Sequence, residues 1–182
     1  MSYRPHVTFV CAALGALGIA LMACGGVADG TTPVPPGEVT SPSGAKVTAA
    51  IAAVSLGDGP YQPSNVQIAF KAEAAPTSAR VEIVAVTLVD ASGNRVDTPM
   101  ASKPQVWNGG SYVPWDQRVT PRGDLKASYE LTTPAWGNTP NGAAQLGNAY
   151  RKMYRLRVTL RVDGAEVLLE SADLVRDAPA VT

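Results

Sequence analysis

Histidine and cysteine are almost missing from this chain. Its 182 residues include one histidine, His6, and two cysteines, Cys11 and Cys24, so from residue 25 onward there is neither imidazole nor thiol. Imidazole is the side chain best matched to proton transfer near neutral pH. A Ser-His-Asp triad or a Cys-His pair therefore cannot be built in that region. Zinc and copper sites made of His and Cys are excluded there too, as is any disulfide within it. Charge of one sign is also lacking. Fifteen basic residues balance fifteen acidic ones, so no global field favours nucleic acid. Carboxylate pairs, Ser-Lys nucleophiles and oxygen-ligand metal sites stay open. No spacing stands out as a motif for any of them, and nothing calls for a cofactor.

What the N-terminus does have is a secretory signal. Arg4 and the start amine form its basic end, and Val7–Ala23 is an uncharged run of 17 residues. A membrane-spanning helix needs about 20 apolar residues. This run is shorter, holds Gly15 and Gly18, and stops at Gly25-Gly26, which favours cleavage over a permanent span. Within it, Leu21-Met22-Ala23-Cys24 resembles the lipobox of bacterial lipoproteins, with leucine three before the cysteine and a small residue just before it. The resemblance covers Met1 to about Gly26. It implies removal of residues 1–23, a diacylglyceryl thioether on Cys24 and an acylated (typically palmitoylated) amine. Gly25 in place of aspartate implies an outer-membrane or cell-surface location. The alternative is an ordinary signal peptide with an incidental cysteine. Loss of Arg4 with the signal leaves 14 basic against 15 acidic residues. It also removes His6, and acylation consumes the last thiol.

Residues 25–44 are rich in Gly, Pro, Ser and Thr and read as a flexible tether. From about Ala45 the sequence becomes short β-branched runs separated by turn residues. Val47–Leu56, Val66–Lys71, Val81–Val89, Gln105–Trp107, Leu125–Leu131, Tyr150–Val162 and Ala165–Leu169 are the strand candidates. The almost continuously apolar texture of Val81–Val89 predicts a central strand with little exposed on either face. Asp163-Gly164 is a two-residue type I′ hairpin signal. About seven strands at these spacings predict one all-β, immunoglobulin-like or fibronectin-III-like β-sandwich. The expected organisation is signal 1–23, lipidated cysteine and tether 24–44, sandwich 45–176 and a frayed end 177–182.

Four groups of residues are candidate sites. Trp107, Tyr112, Trp115 and Trp136 sit in loop-like stretches beside Gln105, Asn108, Asp116, Gln117 and Asn138, as a glycan site requires: rings stack on sugars and amides bond their hydroxyls. The plainer reading is that these rings cap the core. Arg151, Arg155, Arg157 and Arg161 share one face of the best strand, a stripe for an anionic partner, or else a solvated face cross-paired with Glu82, Glu130, Glu166 or Glu170. Asp90-x-Ser92-x-Asn94-x-x-Asp97 has oxygen side chains at alternate positions, as a calcium loop does, but a plain hairpin turn explains it better. Arg122-Gly123-Asp124 matches the cell-adhesion tripeptide, a match short enough to arise by chance.

The reading these observations favour is a lipid-anchored, non-catalytic binding or structural module of the cell envelope. Its partner would be a protein or a glycan. One alternative is a carboxylate hydrolase of envelope polysaccharide using acids such as Asp116 and Asp124, which needs two carboxyls about 5–5.5 Å apart if retaining or about 6.5–9.5 Å apart if inverting. The other is a subunit that docks into an envelope complex by strand addition or through an apolar patch.

Overall fold

Strict alternation on the best strand sets the architecture. From Tyr154 to Val162 every second residue is buried, and the four between are half-buried. That period of two gives a strand with one face in the core and one toward solvent. The computed structural model describes residues 34–42, 44–57, 62–135 and 152–176. Cys24, Trp136 and Arg151 lie outside these residues, as do the signal, half of the expected tether and the expected frayed end.

The described residues are all-β. One antiparallel sheet has the order β1 (Gly37–Thr40), β2 (Lys46–Ser55), β3 (Ser64–Ala72), β9 (Asp124–Leu131), β6 (Ala101–Trp107) and β7 (Tyr112–Pro114). The second has the order β11 (Ala165–Glu170), β10 (Tyr154–Val162), β4 (Ala79–Asp90) and β5 (Arg95–Asp97), with β8 (Arg118–Val119) paired to the start of β4. Strands β2, β3, β9 and β6 correspond to A, B, E and D of an immunoglobulin domain, and β4, β10 and β11 to C, F and G. The expected β-sandwich is therefore the fold, and its seven main strands are the seven strand candidates.

The core lies between the sheets. Val66, Ile68 and Phe70 of β3 and Ala127, Tyr129 and Leu131 of β9 point inward from one side. Val81, Val86 and Leu88 of β4 and Leu156, Val158, Leu160 and Val162 of β10 meet them from the other. Each fully buried Val, Leu, Ile or Phe contributes roughly 1.5–3 kcal/mol. Asp163 and Gly164 both have positive φ (47° and 95°), as the expected type I′ turn between β10 and β11 demands.

Two expectations need correction. The stretch expected to be tether through Gly44 contains β1, which pairs with β2 from Gly37↔Ala49 to Thr40↔Lys46. Composition hid it, because one buried side chain, Val39, carries its contact with the core. The return turn is closed by the Ser41 hydroxyl, which accepts the Ala45 N–H, and by Gly44 at φ 82°. Second, β4 is not covered on both faces: Val84 and Ala85 are exposed at its middle. Its in-sheet neighbour β5 pairs only with Leu88 and Val89, so the middle of β4 also lacks a strand beside it there.

Candidate functional site

Cross-strand register on the outer face of the six-stranded sheet builds the most chemically equipped surface. Gln67 of β3 and Gln105 of β6 both pair with Ser128 of β9. An amide, a hydroxyl and an amide therefore stand in one row across three strands. The adjacent row is Asn65, Glu130 and Ser102. Gln67 Nε2 donates to the Tyr112 hydroxyl at 3.0 Å and so reaches across β9 and β6 to β7. Small Ser128 leaves room for that reach.

Between these rows lies a shallow groove of about 250 Å³, lined by Asn65, Gln67, Lys103, Gln105, Tyr112, Ser128 and Glu130, with Pro63 and Ser64 at one end. Tyr112 lines it, and Trp107 stands beside Tyr112, outside the lining. Trp107 and Tyr112 are directly paired across β6 and β7, with ring centroids 5.3 Å apart in an edge-to-face arrangement. Their exposures, 57% and 47%, leave ring surface free for a ligand.

A break in β6 shapes the other side. Pro104 has no N–H to give the ladder, and the pairing of β6 with β9 shifts between Ser102 and Gln105. Lys103 takes φ 49° in this bulge. Bulges re-aim side chains, and here Lys103 Nζ lies 2.6 Å from a Glu130 carboxylate oxygen. The groove thus holds one carboxylate, already ion-paired. Asp116 and Asp124, the acids of the hydrolase alternative, are not among its lining residues. Asp116 instead accepts the Arg118 N–H within its own turn.

The aromatic set divides. Trp115 packs on Phe70 (5.5 Å) and Tyr129 (6.4 Å), and its indole N–H donates to the Arg118 carbonyl at 3.1 Å. It is a lid on the core. Burial pushes the phenol pKa of its neighbour Tyr129 up. Trp107 and Tyr112 are the surface pair.

The arginine face is a neutralised ladder. Arg157 Nε lies 2.6 Å from Glu170, and Arg155 pairs with the same carboxylate. Arg161 is shared between Glu82 at 2.8 Å and Glu166 at 2.7 Å, its direct cross-strand neighbours. Hydrogen bonds from Arg157, with the nearby Arg155 charge, hold the Glu170 carboxyl below the usual range, although partial burial opposes them. Asp173 lies 3.8 Å from Arg155. Three guanidiniums thus face four carboxylates, which removes the attraction for an anion.

The remaining candidates are turns. Asp90 Oδ1 accepts the backbone N–H of Ser92 and of Asn94, and Oδ2 accepts the Asn94 amide. These bonds lower the Asp90 pKa. Asp97 is engaged elsewhere, accepting the Ala135 N–H. Arg122-Gly123-Asp124 is stitched to the end of β3: Arg122 N–H donates to Glu73, and Ala72 N–H donates to Gly123. No cluster of three His, Cys, Asp or Glu suited to a metal occurs among the described residues.

No protein-family model matches the chain, and no curated protein matches it significantly.

The sequence pointed to Trp107, Tyr112 and Gln105 but missed Gln67, Asn65, Ser128 and Lys103 as members of the same site. The polar phase of β3 and β9 was the available signal. Only strand order puts those two phases beside β6 and β7.

Proposed function

We propose that the chain is a lipid-anchored cell-envelope protein whose sandwich binds a glycan, without catalysis, through the groove between Gln67 and Tyr112. The observation that carries this reading is the amide–hydroxyl–amide row of Gln67, Ser128 and Gln105 beside the exposed Trp107–Tyr112 pair. Amides and hydroxyls exchange hydrogen bonds with sugar hydroxyls, and the rings present flat apolar faces to sugar C–H surfaces. Small-molecule pockets usually enclose about 300–1,000 Å³. A shallow groove of 250 Å³ suits a polymer lying across the sheet better than an engulfed metabolite. Its one carboxylate is ion-paired, which favours binding over the two-carboxylate hydrolase. The lipobox-like Leu21–Cys24 supports the anchor and the envelope location.

The test is a glycan array probed with the full chain in detergent, beside a Trp107→Ala/Gln67→Ala variant. Binding to uncharged polysaccharide that falls at least about tenfold in the variant, or about 1.4 kcal/mol, supports the reading. Binding that survives both substitutions removes the groove from consideration. A chain that binds no glycan on the array, yet captures an envelope protein, overturns the glycan assignment.

A further inference from the structure

Strand β4 is paired along its length on one side and only at its two ends on the other. β10 runs beside it from Val81 to Asp90. On the opposite edge β8 covers Ala79 and Arg80, Val81 N–H reaches the Gln117 carbonyl, and β5 covers Leu88 and Val89. Between them, residues 82–87 have no strand partner on that edge among the described residues. An open edge is a ready template for another chain, and proteins usually guard it with lysine, proline or a covering loop. Glu82-Ile83-Val84-Ala85-Val86-Thr87 has neither lysine nor proline, and four consecutive residues are apolar.

An apolar groove of about 400 Å³ runs beside this edge. It is lined by Ile83 to Thr87 and by Thr98, Pro99, Met100 and Ala101. Val84, skipped in the β4–β10 register, is 42% exposed, and Met100 is 70% exposed. A bulge of this kind ends regular pairing at one point and turns a side chain outward. Here that side chain joins the groove.

We infer that this gap is a docking site for a short extended segment of a partner polypeptide, added to β4 as a strand. Free backbone donors and acceptors specify an extended backbone, and the groove specifies small apolar side chains at alternate positions. Six residues of strand span about 20 Å, a normal strand length. The closed ends select the occupant further. A second copy's β4, twelve residues long, would run into β5 or β8, so a short segment that leaves the sheet at both ends fits and that strand does not. This inference is independent of the glycan groove, which lies on the other sheet.

Hydrogen exchange of the full chain in detergent tests it, with an end-capped alternating threonine–valine octapeptide as the probe. Without probe, the amides of 82–87 that point away from β10 exchange rapidly. Saturating probe slows them by about tenfold. The same peptide N-methylated at alternate residues gives no slowing, and Val84→Lys abolishes the effect of the parent peptide. No slowing at saturation overturns the inference. So does protection already present without probe: independent of protein concentration, it shows that the chain fills its own gap; rising with concentration, it shows self-association.

Discussion

Gln67 and Tyr112 lie 45 residues apart in sequence and have two strands, β9 and β6, between them in the sheet, yet the Gln67 amide donates to the Tyr112 hydroxyl. The bond pre-positions both polar ends along the groove. It is exposed, and such bonds contribute only about 0.5–1.5 kcal/mol net. Tyr112→Phe is therefore expected to change unfolding free energy by less than about 1 kcal/mol. It should weaken glycan binding several-fold, because the phenol and the orientation of Gln67 are lost together. Chemical denaturation and a binding titration on one preparation check both halves.

Trp107 and Trp115 are expected to behave oppositely. Trp115 fills space against Phe70 and Tyr129, where truncation to alanine removes buried ring surface and leaves a cavity. Trp→Ala in a core costs about 3–5 kcal/mol, and the half-buried Trp115 belongs near the lower figure. Trp107→Ala, at an exposed hairpin, is expected to cost under about 1 kcal/mol while reducing ligand binding. Urea unfolding midpoints with unchanged slopes separate the two.

β3 and β10 were legible by their alternation and β4 by its apolar run, whereas only three residues, Gln105–Trp107, were read from the seven of β6. β7 and β8, at three and two residues, are too short to show a period, and β1 was lost to the composition of its surroundings. Val81–Val89 was legible as a strand but misleading about its surroundings. An apolar run reads the same whether both faces are buried or one edge is open. In the site, Trp107 and Tyr112 were visible as residue types. Gln67 and Ser128 were not, because nothing in the alternation of β3 or β9 says which strand lies next to it.

The correction at β1 has a measurable consequence. Val39 is buried, and a Cβ added at Gly37 would sit 2.5 Å from Leu169 Cδ2, so β1 packs closely on β11. A chain starting at Ala45 loses the burial of Val39, worth roughly 1.5–3 kcal/mol, and four residues of ladder. It is expected to be less stable by about 2–3 kcal/mol than one starting at Val34. Equal denaturation midpoints would show that β1 contributes nothing.

Acid should weaken the arginine ladder. The Glu170 carboxyl, held by Arg157 and Arg155, gives up its proton more readily when folded than its ordinary value of 4.5. The unfolded chain then binds more protons in the window below that value, so stability rises with pH there. The contribution is complete above 4.5 and is lost as pH falls through the lower folded value. Asp90, lowered by the backbone and side-chain N–H groups of Asn94, acts in the same direction. Glu170→Gln is expected to flatten the acid limb of a stability-against-pH curve and leave Asp90's part of it. An unchanged limb would mean that Glu170 titrates alike in both states.

Cys24 carries the anchoring proposal. One acyl chain holds a protein only marginally at a membrane, whereas two or more hold it stably. A diacylglyceryl thioether with an acylated amine would therefore suffice without any apolar patch on the sandwich. The mature N-terminal peptide is expected to begin at Cys24 and to carry the added lipid mass. Cys24→Ser is expected to lose that mass and all incorporation of labelled fatty acid, with the unfolding midpoint of the sandwich unchanged. The last point keeps the result readable: a lowered midpoint would show that the substitution had also reached the core described from Val39 to Leu169. A parent peptide that begins at Gly25, or at an unmodified Cys24, would instead identify an ordinary secretory signal.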